Sequence, residues 1–231
     1  MEAPAARLRH DPLAPLGDRL RAALGPGVGI AWGDVDGDPD TLWPDERPAV
    51  ARAIERRRRE FAAGRSAARR AMAALGRPAC AIPAGADRAP VWPANWVGSI
   101  AHDARGCFAV AAPAADLHAV GIDLDAAAPL EAGLWDLVCT PDEIRRLPGD
   151  DDVQRGRWAK RLFCAKEAYY KWQHPQTHRM LSFHEVEVIW LPDNAFEARP
   201  ADPRGLTHDL PGRWTEDGTW ILAWVAGRAR R

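Results

Sequence analysis

The sequence predicts a mixed α/β or α+β protein, and three observations predict it. Long helical periodicity occupies 46–75 and 153–172, short strand-like apolar runs fall between 96 and 124, and such runs return at 183–190 and 219–226. Helix and strand patterns therefore occur in both halves of the 231 residues. A chain of this length buries roughly 70–75% of its unfolded surface, enough for one large domain or two lobes of about 100 residues each.

Taken in order, residues 1–45 are rich in Pro, Gly and Asp and hold no sustained period, so an irregular lead-in is expected, with one strand candidate at 28–32. From 46 to 75 the apolar positions Val50, Ile54, Phe61, Ala68, Met72 and Leu75 recur at spacings of 3, 4 and 7, the pattern of an amphipathic helix. Gly64 is an expected break or bend, and Gly76 and Pro78 end the helix. A Pro- and Gly-rich loop follows over 79–96. Strands are expected at 96–101, 107–112 and 118–124, helices at 130–138, 141–147 and 153–172, and strands again at 183–190 and 219–226.

Composition narrows the function classes. With 31 Lys plus Arg against 32 Asp plus Glu, the formal charge of -1 gives no wholesale attraction to nucleic acid or membrane. No run of about 18 apolar residues spans a bilayer and no signal-peptide core opens the chain, so a soluble, cytoplasmic protein is expected. Cys80, Cys107, Cys139 and Cys164 form no CxxC pair and read as reduced thiols. Of the basic residues 28 are Arg, and the three Lys (Lys160, Lys166 and Lys171) all fall within twelve residues. A chain that writes Arg elsewhere and Lys here points to chemistry needing a compact ammonium.

Three stretches could carry that chemistry. In GIDLD (121–125), strand alternation puts Val120, Ile122 and Leu124 on one side and Gly121, Asp123 and Asp125 on the other. Two carboxylates then share a spot that suits a hard cation such as Mg²⁺; the competing reading is a strand end with two solvated acids. In FCAKEAYYKW (163–172), Glu167 lies opposite the stripe of Trp158, Leu162, Ala165 and Tyr169 yet beside Phe163 and Tyr170, so it needs a partner; the bland reading is a surface pair with Lys171. In 52–70, eight Arg meet two Glu, and Arg57 and Arg65 interrupt the apolar arc of Val50, Ile54 and Phe61. An inward Arg should meet an internal carboxylate or a bound phosphate, unless its stem snorkels. Weaker signals are DVDGDPD (34–40), which has Pro39 where a calcium loop demands Gly, the pair His174 and His178, where Pro175 disfavours a regular helix, and His102 after a strand.

Taken together, GSIAHD (98–103), GIDLD (121–125) and FCAKEAYYK (163–171), with ERRRREFAAGRSAARRAMAALG and ADRAPVWP upstream, resemble the signature blocks of Sfp-type 4′-phosphopantetheinyl transferases. The nearest likeness is to the enterobactin-synthetase-component-D and mycobacterial-type branch, over roughly 46–190. The resemblance implies an α+β fold, a pseudo-two-fold pair of similar α/β lobes with the active site in the cleft between them. The corresponding division is a lead-in over 1–45 that belongs to the first lobe, an N-terminal lobe over 46–117 and a C-terminal lobe over 118–231. It implies Mg²⁺-dependent transfer of 4′-phosphopantetheine from coenzyme A to a serine of an apo acyl or peptidyl carrier protein, by a monomer, with release of 3′,5′-ADP.

By the same resemblance Asp123, Asp125 and Glu167 hold the metal, Lys166 and Lys171 meet the pyrophosphate, and Arg57, Arg65, Arg88 and His102 meet the coenzyme A phosphates. Glu143 aligns with a glutamate proposed to activate the acceptor, and either it or Glu167 could take the serine proton. The chain departs from the pattern at Asp125, where Glu is usual, and at Ala101, where Ser is usual. A coenzyme A-binding module without turnover and an unrelated Mg²⁺-dependent phosphoryl-transfer or hydrolytic enzyme are the competing readings.

Overall fold

The computed structural model describes residues 11–202 and 210–228. They fold as α+β, with two antiparallel sheets, each backed by one long helix. The first sheet holds β1 (Gly29–Asp34), β2 (Trp96–His102) and β3 (Gly106–Pro113) in the order β1-β3-β2, and α2 (Glu55–Ala73) covers it. Strand β3 reads as an unbroken apolar run because both its faces are covered. Cys107, Ala109 and Ala111 pack on Ala63, Ala67, Ala68 and Ala71 of α2, while Phe108, Val110 and Ala112 enter a second core.

The second sheet holds β4 (Leu117–Ala126), β5 (Val186–Leu191), β6 (Ala195–Pro200), β7 (Leu210–Glu216) and β8 (Trp220–Arg228) in the order β4-β8-β7-β6-β5. Helix α5 (Asp152–Thr177) packs Leu162, Ala165 and Tyr169 against Ile221, Ala223 and Val225 of β8. The core between the sheets is shared. Val120, Ile122 and Leu124 of β4 meet Phe108 and Val110 of β3 and the Leu16, Leu20 and Leu24 stripe of α1 (Ala14–Leu24). A hydrogen bond from the Ile122 N–H to Ser99 Oγ at 3.1 Å ties β4 to β2.

Several elements differ from the sequence expectations. The lead-in, expected to be irregular, contains α1, started by Pro15 in its first turn and buried through leucines spaced by four. Gly64 neither breaks nor bends α2 into two pieces; it lies in the continuous helix with Ile100 across from it, where a Cβ would come within 3.0 Å of the isoleucine. The helical pattern at 130–138 is a 3₁₀ turn (Ala132–Leu134) followed by the short α3 (Trp135–Val138). Next, α4 (Pro141–Arg146) starts at a capping box between Thr140 and Glu143. Helix α5 runs past its expected end at 172 and through Pro175, which withholds one backbone N–H in the last turn, and it stops at His178 in the left-handed region. His174, one helical turn before His178 in this last stretch, is buried. Strands β6 and β7 were not expected, since Pro200, Pro211 and Gly212 hide their pattern.

Gly121 sets how closely α5 approaches β4. A Cβ there would lie 2.0 Å from the Ala168 carbonyl oxygen and 2.5 Å from the Trp172 nitrogen, both backbone atoms that cannot swing aside. Gly121→Ala is therefore expected to cost about 2–3 kcal/mol by pushing the helix off the strand. A urea titration checks this, and an unchanged midpoint would contradict the close crossing.

Candidate active site

That crossing builds the site. Gly121, Asp123 and Asp125 face α5 while Val120, Ile122 and Leu124 enter the core, so β4 alternates as its sequence predicts. Lys171 Nζ donates to Asp123 Oδ1 at 2.6 Å, and Lys160 Nζ donates to Asp125 Oδ2 at 2.7 Å. Asp123 is only 6% exposed, which rules out a pair of solvated acids, and its Oδ2 is buried without a hydrogen-bond partner. Glu167 stands half-buried one helical turn before Lys171. Burial pushes its carboxyl above the ordinary range, with Asp123 and Asp125 acting the same way and Lys171 opposing. Burial likewise pushes the Cys164 thiol well up, and the two aspartates add to it.

Two clefts meet at this stretch of α5. One, of about 470 Å³, is largely apolar and includes Glu167, Tyr170, Leu137, Met180 and Phe183. The other, of about 230 Å³, includes Tyr170, Lys171, Arg88 and Ser99. Tyr170 lines both, so Glu167 and Lys171 stand where one cleft gives way to the next.

On the first sheet, Arg57 Nη1 lies 2.8 Å from His102 Nε2 and 3.4 Å from Glu60 Oε2. A guanidinium only donates, so this imidazole nitrogen accepts, and burial followed by Arg57 holds His102 below its ordinary value. Burial works to raise Glu60, but the hydrogen bonds from Arg56 and Arg57 outweigh it and leave the carboxyl low. Arg88 is exposed, with φ of 67°.

Arg65 faces inward as its position in the apolar arc predicts, and its bonded partner among the described residues is a backbone carbonyl rather than a carboxylate. Its Nε donates to the Ile82 carbonyl at 2.5 Å, its guanidinium lies 4.1 Å from the Phe61 ring centroid, and burial pushes its pKa down to about 10. The buried carboxylate nearby, Glu46, pairs with Arg69 at 2.7 Å.

Two expected site residues stand apart from the aspartates. Lys166 Nζ donates to Glu143 Oε2 at 2.7 Å, to the Val138 carbonyl at 2.9 Å and to the Phe183 carbonyl at 2.7 Å, which uses all three of its protons. Glu143 also accepts the N–H groups of Thr140 and Val188, at 2.7 and 2.8 Å, and both side chains are buried. The pair ties α5 to α4 and β5, and Lys166 also lines the larger of the two clefts.

Lys160, by contrast, had no part in the motif reading, although it lies two helical turns before Glu167 and inside the lysine cluster. Ala101 is 1% exposed in the core between the sheets, so the missing hydroxyl is not missing from the clefts. In DVDGDPD, Asp34 and Asp38 accept the N–H groups of Asp36 and Asp40, and Asp36 pairs with Arg59.

Among the described residues, no three His, Cys, Asp or Glu side chains stand together as a ready metal cage. The donors of the β4–α5 face nevertheless suit a hard cation: they are all carboxylate oxygens, and one of them is buried and unpartnered. No helix among the described residues is long and apolar enough to cross a membrane.

Comparison with known proteins agrees with this geometry. Residues 45–112 match the 4′-phosphopantetheinyl transferase N-terminal domain, and residues 119–225 match the 4′-phosphopantetheinyl transferase superfamily. The chain is 38% identical over 207 residues to the 4′-phosphopantetheinyl transferase Svp of Streptomyces mobaraensis, covering 85% of this chain and 83% of that one. It is 36% identical over 184 residues to Npt of Nocardia iowensis, with 78% and 80% covered. To PptT of Mycobacterium tuberculosis it is 35% identical over 167 residues, with 71% and 73% covered. On both its sequence and its two-sheet architecture, the chain belongs to the 4′-phosphopantetheinyl transferase superfamily.

Proposed function

We propose that the β4–α5 face carries Mg²⁺-dependent transfer of 4′-phosphopantetheine from coenzyme A to a serine of an apo acyl or peptidyl carrier protein. The observation that carries this reading is the buried Asp123 carboxylate, bonded to Lys171 on one oxygen and without a hydrogen-bond partner on the other, with Glu167 and Lys171 lining the two adjoining clefts. Asp123 and Glu167 would hold Mg²⁺, with Asp125 adding its charge; when bound, the ion neutralises the pyrophosphate and the charge that develops on it. Lys171 adds an ammonium on the same face. The serine oxygen attacks the β-phosphate, the pyrophosphate P–O bond to 3′,5′-ADP breaks, and the serine proton passes to water. Glu143 is disfavoured as the acceptor of the serine proton in this reading, since it is buried and its oxygens are bonded to Lys166, Thr140 and Val188.

The cleft beside Arg88, Ser99 and Lys171 suits the nucleotide end, with Arg57 and His102 next along the first sheet, and the apolar cleft suits the pantetheine arm. Arg57→Ala should raise the KM for coenzyme A about tenfold and change kcat little, since phosphate anchoring away from the reacting atoms is uniform binding. Steady-state kinetics with coenzyme A and dephospho-coenzyme A check this; equal discrimination between them by wild type and variant would mean Arg57 does not read the 3′-phosphate.

The reading as a whole is tested by intact-mass measurement of an apo carrier incubated with coenzyme A and Mg²⁺. A gain of one phosphopantetheine supports it. Coenzyme A binding without that gain, or coenzyme A consumption without a carrier, would replace it with one of the two competing readings.

A further inference from the structure

Asp125 stands in the acidic set of the β4–α5 face, yet both of its oxygens are engaged. Oδ1 accepts the Ala126 N–H at 2.7 Å, and Oδ2 accepts Lys160 Nζ at 2.7 Å. Lys160 is not a loose surface lysine: its side chain is 14% exposed, and Nζ lies 5.3 Å from the centroid of the Phe163 ring. Asp123 differs, because Lys171 takes only Oδ1 and leaves Oδ2 buried without a partner. A buried carboxylate oxygen with no hydrogen-bond partner favours a cation beside it, whereas both oxygens of Asp125 already accept a hydrogen bond. With a single methylene, and held on both oxygens, Asp125 cannot swing toward Asp123 without breaking one of its two bonds.

We infer that Lys160 is a positioning residue that holds Asp125 out of direct contact with the divalent cation, leaving Asp123 and Glu167 as the direct carboxylate ligands. Asp125 then contributes little to cation binding, because the ammonium of Lys160 cancels most of its charge. The inference rests on the proposed reading of this face as a cation site. It also supplies a physical reason for the shorter side chain at position 125, since the Asp is fitted to Lys160.

The test uses the whole chain without carrier or coenzyme A and measures Mn²⁺ affinity by the electron-spin-resonance signal of free Mn²⁺. Glu167→Gln is expected to weaken binding more than about tenfold, as loss of a direct charged ligand should. Lys160→Met should tighten it about fivefold, because a repelling charge goes and Asp125 is released. Lys160→Arg keeps the ion pair and should match wild type. The double variant Lys160→Met/Asp125→Asn removes a neutral pair and should stay within about twofold of wild type.

The proposal is overturned if the double variant loses as much affinity as Glu167→Gln, since Asp125 would then be a direct ligand. It is overturned as well if Lys160→Met weakens or leaves unchanged the affinity of a protein whose thermal midpoint is intact. Should Lys160→Met fold poorly, the double variant decides alone. Carrier modification by wild type is measured in parallel. A wild type that modifies the carrier but fails these affinity predictions sinks the role of Lys160 and leaves the transferase reading standing.

Discussion

Lys166→Met is expected to lower the free energy of unfolding by about 3–5 kcal/mol, and the thermal midpoint by roughly 10 °C. The change leaves Glu143 buried and ionised with no cation, and it strands the Val138 and Phe183 carbonyl oxygens that Lys166 now bonds. Burial already holds the Lys166 ammonium below its ordinary value, with Glu143 opposing, so the pair stands near the balance between desolvation and attraction. Lys166→Arg should fail for a steric reason, because a planar fork cannot satisfy three acceptors arranged around one nitrogen. Replacing both partners, as Lys166→Met/Glu143→Leu, should recover much of the loss. Urea titrations of the three variants check this. A Lys166→Met protein as stable as wild type but unable to modify a carrier would give Lys166 the chemical task that its buried bonds deny it.

Asp123→Asn is expected to reduce transfer by about 10³-fold or more while shifting the thermal midpoint by only a few degrees. The amide keeps the shape of the side chain but removes the charge that pairs with Lys171 and would meet the cation through the free oxygen. Activity within a few-fold of wild type, read as kcat/KM on an apo carrier, would remove Asp123 from the reaction.

What the sequence made legible followed simple periodicities. Alternation along β4 separated the core residues from the two aspartates, and the apolar run at 107–112 marked β3 as a strand. What it hid was set by three dimensions. Lys166 and Glu167 are neighbours in the motif, but successive residues on a helix point about 100° apart, so one enters a buried ion pair while the other stands with the aspartates. Arg57 and His102 meet across 45 residues, a contact that no spacing rule supplies.

Helix α1 was readable in principle, since Leu13, Leu16, Leu20 and Leu24 recur at helical spacing, but the Pro and Gly around them outweighed the stripe. Strands β6 and β7 gave no comparable signal: Gly212 in β7 is needed because a Cβ there would lie 2.1 Å from the Phe196 ring of β6. Lys160 was visible in the lysine cluster, yet its partner Asp125 is 35 residues earlier, and only the crossing of α5 over β4 brings them together.

We propose that catalysis belongs to the Asp123–Glu167–Lys171 face and stability to the Lys166–Glu143 pair. Single-turnover modification of an apo carrier by Glu167→Gln, followed by intact mass alongside the variant's thermal midpoint, tests it most directly. The expected result is a midpoint at or above that of wild type, because a carboxyl raised by burial is relieved of its charge, together with loss of nearly all transfer. Wild-type transfer by a folded Glu167→Gln protein would contradict it.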